Sequence, residues 1–165
     1  MKRGLLFISL FVLFINFQLV IAEHQVSPTS FSFNINEESS YAITITNTDI
    51  GGLTSANITQ VVITLPPGLV FRTGTNSTNS LSDFRNTSNT LIWVNSSYVI
   101  GSADGGDNAK SFSFNANATS LGSFNIIVET KNLTGTSTKN IPLTVSDTIT
   151  PEVILVHPNN NEEDT

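Results

Sequence analysis

Short runs in which apolar and polar residues alternate recur along this chain from Phe31 to Val145. Phe31, Phe33 and Ile35 alternate with Ser32 and Asn34, and Tyr41, Ile43 and Ile45 alternate with Ala42, Thr44 and Thr46. Val61–Leu65 is a denser apolar run, and Leu91–Val94 holds the only tryptophan, Trp93. Phe112 and Phe114 alternate with serines. Phe124, Ile126 and Val128 make one face of the next run, and Ile141, Leu143 and Val145 one face of the last. Successive side chains leave a strand on opposite sides, so each run has a buried face and a wet face. No window after residue 22 combines helical apolar spacing with start and stop signals. The pattern predicts an all-β, two-sheet antiparallel β-sandwich of about seven strands. Pro142 lacks an amide proton, which predicts that its strand lies at a sheet edge.

Turn chemistry separates the runs. Asn47-Thr48-Asp49-Ile50-Gly51-Gly52 and Asp104-Gly105-Gly106-Asp107 supply left-handed backbone positions at low cost. After Leu65, Pro66 removes a ladder donor and Pro67 presets the first central position of a turn. Gly68 is then suited to the positive φ of a type II turn. Thr73–Thr90 has only Leu81 and Phe84 as apolar anchors and reads as a mobile loop with one short strand at most.

The first residues read as a signal peptide, 1–22. Lys2 and Arg3 precede the apolar Leu5–Ile15, and Val20-Ile21-Ala22 places cleavage after Ala22. The apolar core is short for a membrane span of about 20 residues. If it stayed uncleaved, it would be the chain's only contact with a membrane. Residues 23–30 then form an N-terminal linker, 31–147 the sandwich, and 148–165 a linker with the start of a second domain or a C-terminal strand.

Composition narrows the function. Removal of Lys2 and Arg3 takes the net charge from −6 to −8. The remaining basic residues, Arg72, Arg85, Lys110, Lys131 and Lys139, are scattered, which argues against nucleic acid as a partner. The chain has no cysteine, so thiol nucleophiles, zinc–thiolate sites and disulfides are excluded and stability must come from packing. Polarity carried by Asn, Ser and Thr fits a secreted or cell-surface location.

Two stretches carry a family likeness. Tyr-Ala-Ile-Thr-Ile-Thr-Asn-Thr at 41–48 and Val-Val-Ile-Thr-Leu-Pro-Pro-Gly-Leu-Val-Phe at 61–71 resemble the conserved repeat domain of prokaryotic (archaeal and bacterial) surface proteins. This is the immunoglobulin-like domain of unknown function eleven. Leu91-Ile92-Trp93 and Ser111–Asn115 are similar to its later strands. The chain departs from the pattern where Asp49 and Ile50 precede Gly51, and where Ile63 stands in place of an Asp. The resemblance implies an immunoglobulin-like sandwich in an envelope or adhesion protein, usually in tandem copies, with no catalytic residues. Asp147–Asn159 is similar to the opening of a further immunoglobulin-like domain in such proteins. Three readings follow for Glu152–Val156: the first strand of a truncated neighbouring domain, a strand folded back on its own sheet, or a strand added to a neighbouring molecule. The last would make the chain a surface-filament subunit.

Candidate chemistry is sparse. Asn57, Asn76, Asn86, Asn95, Asn117 and Asn132 each begin an Asn-x-Ser/Thr glycosylation acceptor, a number close to chance in this composition. Asp104, Asp107 and Asn108 offer hard oxygen ligands for calcium without EF-hand spacing, and Glu37 and Glu38 read as solvated. His24 lies beside the cleavage site and His157 in the tail, which places no catalytic base in the core. Asp83, Asp104, Asp107 and Glu129 have no motif that would make a glycosidase pair. Trp93 and Tyr41 read as core residues. Tyr98 is the best exposed ring for sugar stacking. The sequence predicts a non-catalytic structural or spacer module with no cofactor, whose partners are other surface domains or subunits. The alternative is a glycan- or protein-binding adhesion module using the 73–90 loop.

Overall fold

The computed structural model describes residues 23–50, 56–77 and 82–148. Among them are ten strands: β1 His24–Ser27, β2 Phe31–Asn34, β3 Glu38–Asn47, β4 Gln60–Thr64, β5 Leu69–Phe71, β6 Asp83–Asn86, β7 Thr90–Val94, β8 Ala109–Ala118, β9 Gly122–Lys131 and β10 Thr136–Ser146. They form a four-stranded sheet, β1-β3-β8-β5, and a six-stranded sheet, β2-β10-β9-β4-β7-β6. The signal segment, its cleavage point and the 152–156 strand lie outside the described residues.

Period-two alternation places the core. Tyr41, Ile43 and Ile45 of β3 and Phe112 and Phe114 of β8 are buried from one sheet. Val61, Ile63, Leu91, Trp93, Ile126, Val128, Ile141 and Leu143 meet them from the other. The rings form a continuous chain, with Phe71 linking Phe114 to Phe84. Tyr41 stacks on Phe114 at 5.1 Å, Trp93 meets Phe112 edge-on at 4.9 Å, and Phe84 tilts onto Trp93 at 5.0 Å. Such pairs add specific geometry to the burial of large apolar surfaces.

The sandwich is as expected, but with ten strands among the described residues rather than about seven, and with three further differences. The expected linker 23–30 contains β1, which pairs antiparallel with β3 from His24↔Asn47 to Ser27↔Thr44. The chain then changes sheets, and β2 pairs with β10 in parallel, the one departure from the antiparallel pattern. β10 is also not an edge strand, because it lies between β2 and β9. Its pairing with β2 begins at Leu143, one residue after Pro142, so the proline stands where that side of β10 is still uncovered. A missing amide is tolerated there because no ladder bond needs it.

The Leu65–Gly68 corner follows the turn chemistry. Leu69 N donates to Pro66 O at 3.1 Å, and Gly68 has φ 89°. A Cβ on Gly68 would approach Ser120 Cβ and Oγ at 2.8 Å, so both conformation and space require glycine. This corner carries the chain from β4 to β5 in the opposite sheet, and β6 and β7 then return beside β4.

The described chain runs from pole to pole. Glu23 enters beside the end of β3, where Thr48 N donates to Glu23 O at 3.2 Å. β10 starts at this pole, with Thr136 opposite Lys131, and ends with Ser146 beside Asn34 at the other. Thr148 Oγ1 bonds Asn34 Oδ1 at 2.6 Å there. We call these the entry and exit poles.

Candidate functional site

Buried polar side chains gather at the entry pole. They are His24, Asn47, Asp49, Ser102, Thr130 and Asn132. Asn47, the last residue of β3, ties three segments. Its Nδ2 donates to Ala56 O and Gly101 O, each at 2.9 Å, and its Oδ1 accepts from Asp49 N at 3.1 Å. Asn132 closes the β9–β10 turn. Its Oδ1 accepts from Thr134 N at 2.9 Å, Thr134 Oγ1 at 2.8 Å and Gly135 N at 2.8 Å. This is an Asx turn, in which a side chain stands in for a backbone acceptor. His24, expected outside the core, is buried with Nδ1 2.7 Å from Thr130 Oγ1. The reason is that β1 pairs with β3 and carries His24 to the end of β9.

Beside these residues is an open groove of about 490 Å³ lined by Asn57, Thr59, Ser96, Ser97, Tyr98 and Leu133. Tyr98 is half-buried, and Lys110 Nζ lies 5.6 Å from its ring centroid. The groove joins the Tyr98 ring and the Leu133 side chain to hydroxyls and an amide, the mix of apolar surface and a few polar groups found in small-molecule pockets. Leu133 and Ile50 stand exposed at the same pole.

The acceptor asparagines divide by surroundings. Asn86 is exposed at the end of edge strand β6, and Asn76 is half-buried. Asn57 Oδ1 accepts from Ser102 N at 3.0 Å, and Asn95 Oδ1 from Ser97 N at 2.8 Å. Asn117 Oδ1 is buried without a hydrogen-bond partner. Asn132 is only 3% exposed, and a glycan on it would require the turn to open.

Asp104, Asp107 and Asn108 form a hydrogen-bonded turn. Gly101 N donates to Asp107 O at 2.9 Å, and Gly106 takes φ 81°. The Asp107 carboxylate pairs with Lys110 at 3.1 Å, and Asn108 Nδ2 points to Asn47 O at 3.4 Å. Among the described residues no group of three or more His, Cys, Asp or Glu is assembled to hold a metal ion. Asp83 on β6 and Glu129 on β9 have β7 and β4 between them. Strand spacing puts them about 14 Å apart, beyond the reach of a glycosidase pair.

The 73–90 stretch differs from a free loop over its described parts. Thr75 Oγ1 accepts from Asn115 N at 2.8 Å, and Ser77 Oγ from Ser113 N at 3.0 Å. Ser77 O accepts from Trp93 Nε1 at 3.2 Å, while Asp83–Asn86 pairs with β7. Side-chain hydroxyls thus continue the β8 edge beyond β5. Hydropathy alone cannot show this, because the residues involved are polar.

No family model and no curated protein sequence matches the chain. Solved structures do. The major pilin subunit of Bacillus cereus superposes with a TM-score of 0.51 at 12% identity, over 76% of this chain and 39% of that one. The N-terminal domain of the Streptococcus gordonii adhesin Sgo0707 gives 0.53 at 8% identity, over 77% of this chain and 33% of that one. The chain therefore spans well under half the length of either protein, and at these identities the likeness is one of fold: an immunoglobulin-like β-sandwich.

Proposed function

We propose that the protein is a non-catalytic structural module of the cell surface, a stiff spacer in a larger envelope or adhesion protein. The pole-to-pole path of the chain carries this reading. After cleavage at Ala22 sequence continues beyond the exit pole, through residues 149–165. A unit entered at one end and left at the other can be joined end to end, and strands that run between the poles pass load through ladder hydrogen bonds. The signal-like N-terminus and the motif likeness to prokaryotic surface repeat domains support an extracellular address. The pilin and adhesin structures support the idea of one sandwich within a longer chain. Protease shaving of intact cells tests the reading: peptides from 23–165 should be released without lysis, and recovery only after lysis would refute it. Deletion of 148–165 tests subunit joining by native mass, since a strand-exchanged oligomer should revert to monomer.

A second reading, adhesion through glycan, is favoured by the Tyr98 groove. Glycan-array binding lost in Tyr98→Ala would support it, and silence of the unmodified protein would remove it.

A further inference from the structure

We infer that the entry pole is a docking site for the chain's own processed N-terminus: the α-ammonium that cleavage after Ala22 leaves on Glu23 pairs with the Asp49 carboxylate and locks the pole. This is separate from the spacer reading and rests on the cleavage point.

Asp49 is 8% exposed, and its Oδ2 lies 3.3 Å from Glu23 N. The geometry is held from several sides. Thr48 N bonds Glu23 O at 3.2 Å, Ala103 N bonds Asp49 O at 2.9 Å, and Asn132 Nδ2 stands 3.5 Å from Asp49 Oδ2. The ion pairs formed among the described residues, Arg72–Glu38 and Lys110–Asp107, do not involve Asp49. A buried carboxylate without a counter-charge is costly. The ionisable group among the described residues that acts on Asp49 is Glu23, which is acidic. Asn47, Ala103 and Asn132 contribute only neutral groups. While residue 22 is attached, Glu23 offers Asp49 a neutral amide. In that state burial raises the Asp49 carboxyl, the Glu23 N–H opposes this, and the Glu23 carboxylate raises it further.

Cleavage supplies the missing charge. A signal peptidase adds one water across the Ala22–Glu23 bond, so the C–N bond breaks, Ala22 leaves as a carboxylate and Glu23 keeps an ammonium. An α-amine ordinarily titrates near 7.7–8.0. Paired with Asp49 it is raised, so its stabilisation is full below that range and is lost as pH rises through the higher folded value. Asp49 is lowered by the same pairing, the reverse of its direction in the uncleaved chain.

The test exports the full chain, reads the released N-terminus by intact mass, and acetylates the α-amine in one half of the sample. The released protein is expected to begin at Glu23. Acetylation should lower Tm by about 4 °C at pH 7 and move the Asp49 carboxyl titration, followed by NMR, to higher pH. Asp49→Asn should erase the Tm difference. If that variant fails to fold, the titrations of the two unmutated forms still decide. A different N-terminus, or identical Tm and Asp49 titration in both forms, overturns the proposal.

Discussion

The middle of the sandwich and its entry pole are held together by different physics. In the middle, Tyr41, Trp93, Phe112 and Phe114 are fully buried, and ring meets ring both within a sheet, Tyr41 on Phe114, and across the two sheets, Trp93 on Phe112. Burial there is non-directional and scales with area. At the entry pole, Asn47, Asp49 and Asn132 are equally withdrawn from solvent but are held by directed bonds. Each such bond adds little net stability, yet leaving a buried partner unmade is expensive. The middle therefore resists loss of volume poorly and rearrangement well, whereas the pole depends on atom types at single positions.

Substitutions separate the two. Trp93→Ala is expected to have the largest effect, a loss of about 3–5 kcal/mol in urea unfolding, from an emptied cavity against Phe84 and Phe112. Asn47→Ala follows at about 3 kcal/mol, because Ala56 O, Gly101 O and Asp49 N lose their partner together. A near-neutral Asn47→Ala would show that the pole is not held as described.

Tyr41 sharpens the comparison from inside the core, as a polar atom in the apolar region. Its hydroxyl is buried with no hydrogen-bond partner, and burial pushes the phenol up to about 12. The folded state thus keeps the proton longer than the unfolded state, whose tyrosine titrates near 10. Stability should be intact below pH 10 and fall by about 2 kcal/mol as pH rises toward 12. Tyr41→Phe should abolish that alkaline loss, and at neutral pH it should match or exceed the parent in Tm. The smallest effect is expected from Arg72→Ala, which breaks an exposed ion pair with Glu38 and should cost under about 0.5 kcal/mol in the same denaturation assay.

The same contrast explains what was legible in the sequence. Period-two apolar runs located the long strands, the inward Trp93 and Tyr41, and the Pro67–Gly68 turn, because hydrophobicity and turn residues report those features directly. β1 was missed because His24–Ser27 is polar and its partner is distant in sequence. The pole was missed for a similar reason. Asn132 reads as a glycosylation acceptor, although Asn132–Gly135 also fits an Asx turn. Asn47 stood in the family-like motif without a role until three separate segments converged on it. Tyr98 could be singled out as a ring, but its groove is assembled from Asn57, Thr59 and Leu133, which only the fold brings together.

The pole-to-pole path of the chain is the claim on which the spacer reading depends. With no native cysteine, a Glu23→Cys, Thr148→Cys variant can carry two spin labels and nothing else. Strands of about ten residues separate the poles, so double electron–electron resonance should give a single narrow distance of about 35 Å. A distance under about 20 Å would place entry and exit at the same end and contradict the account.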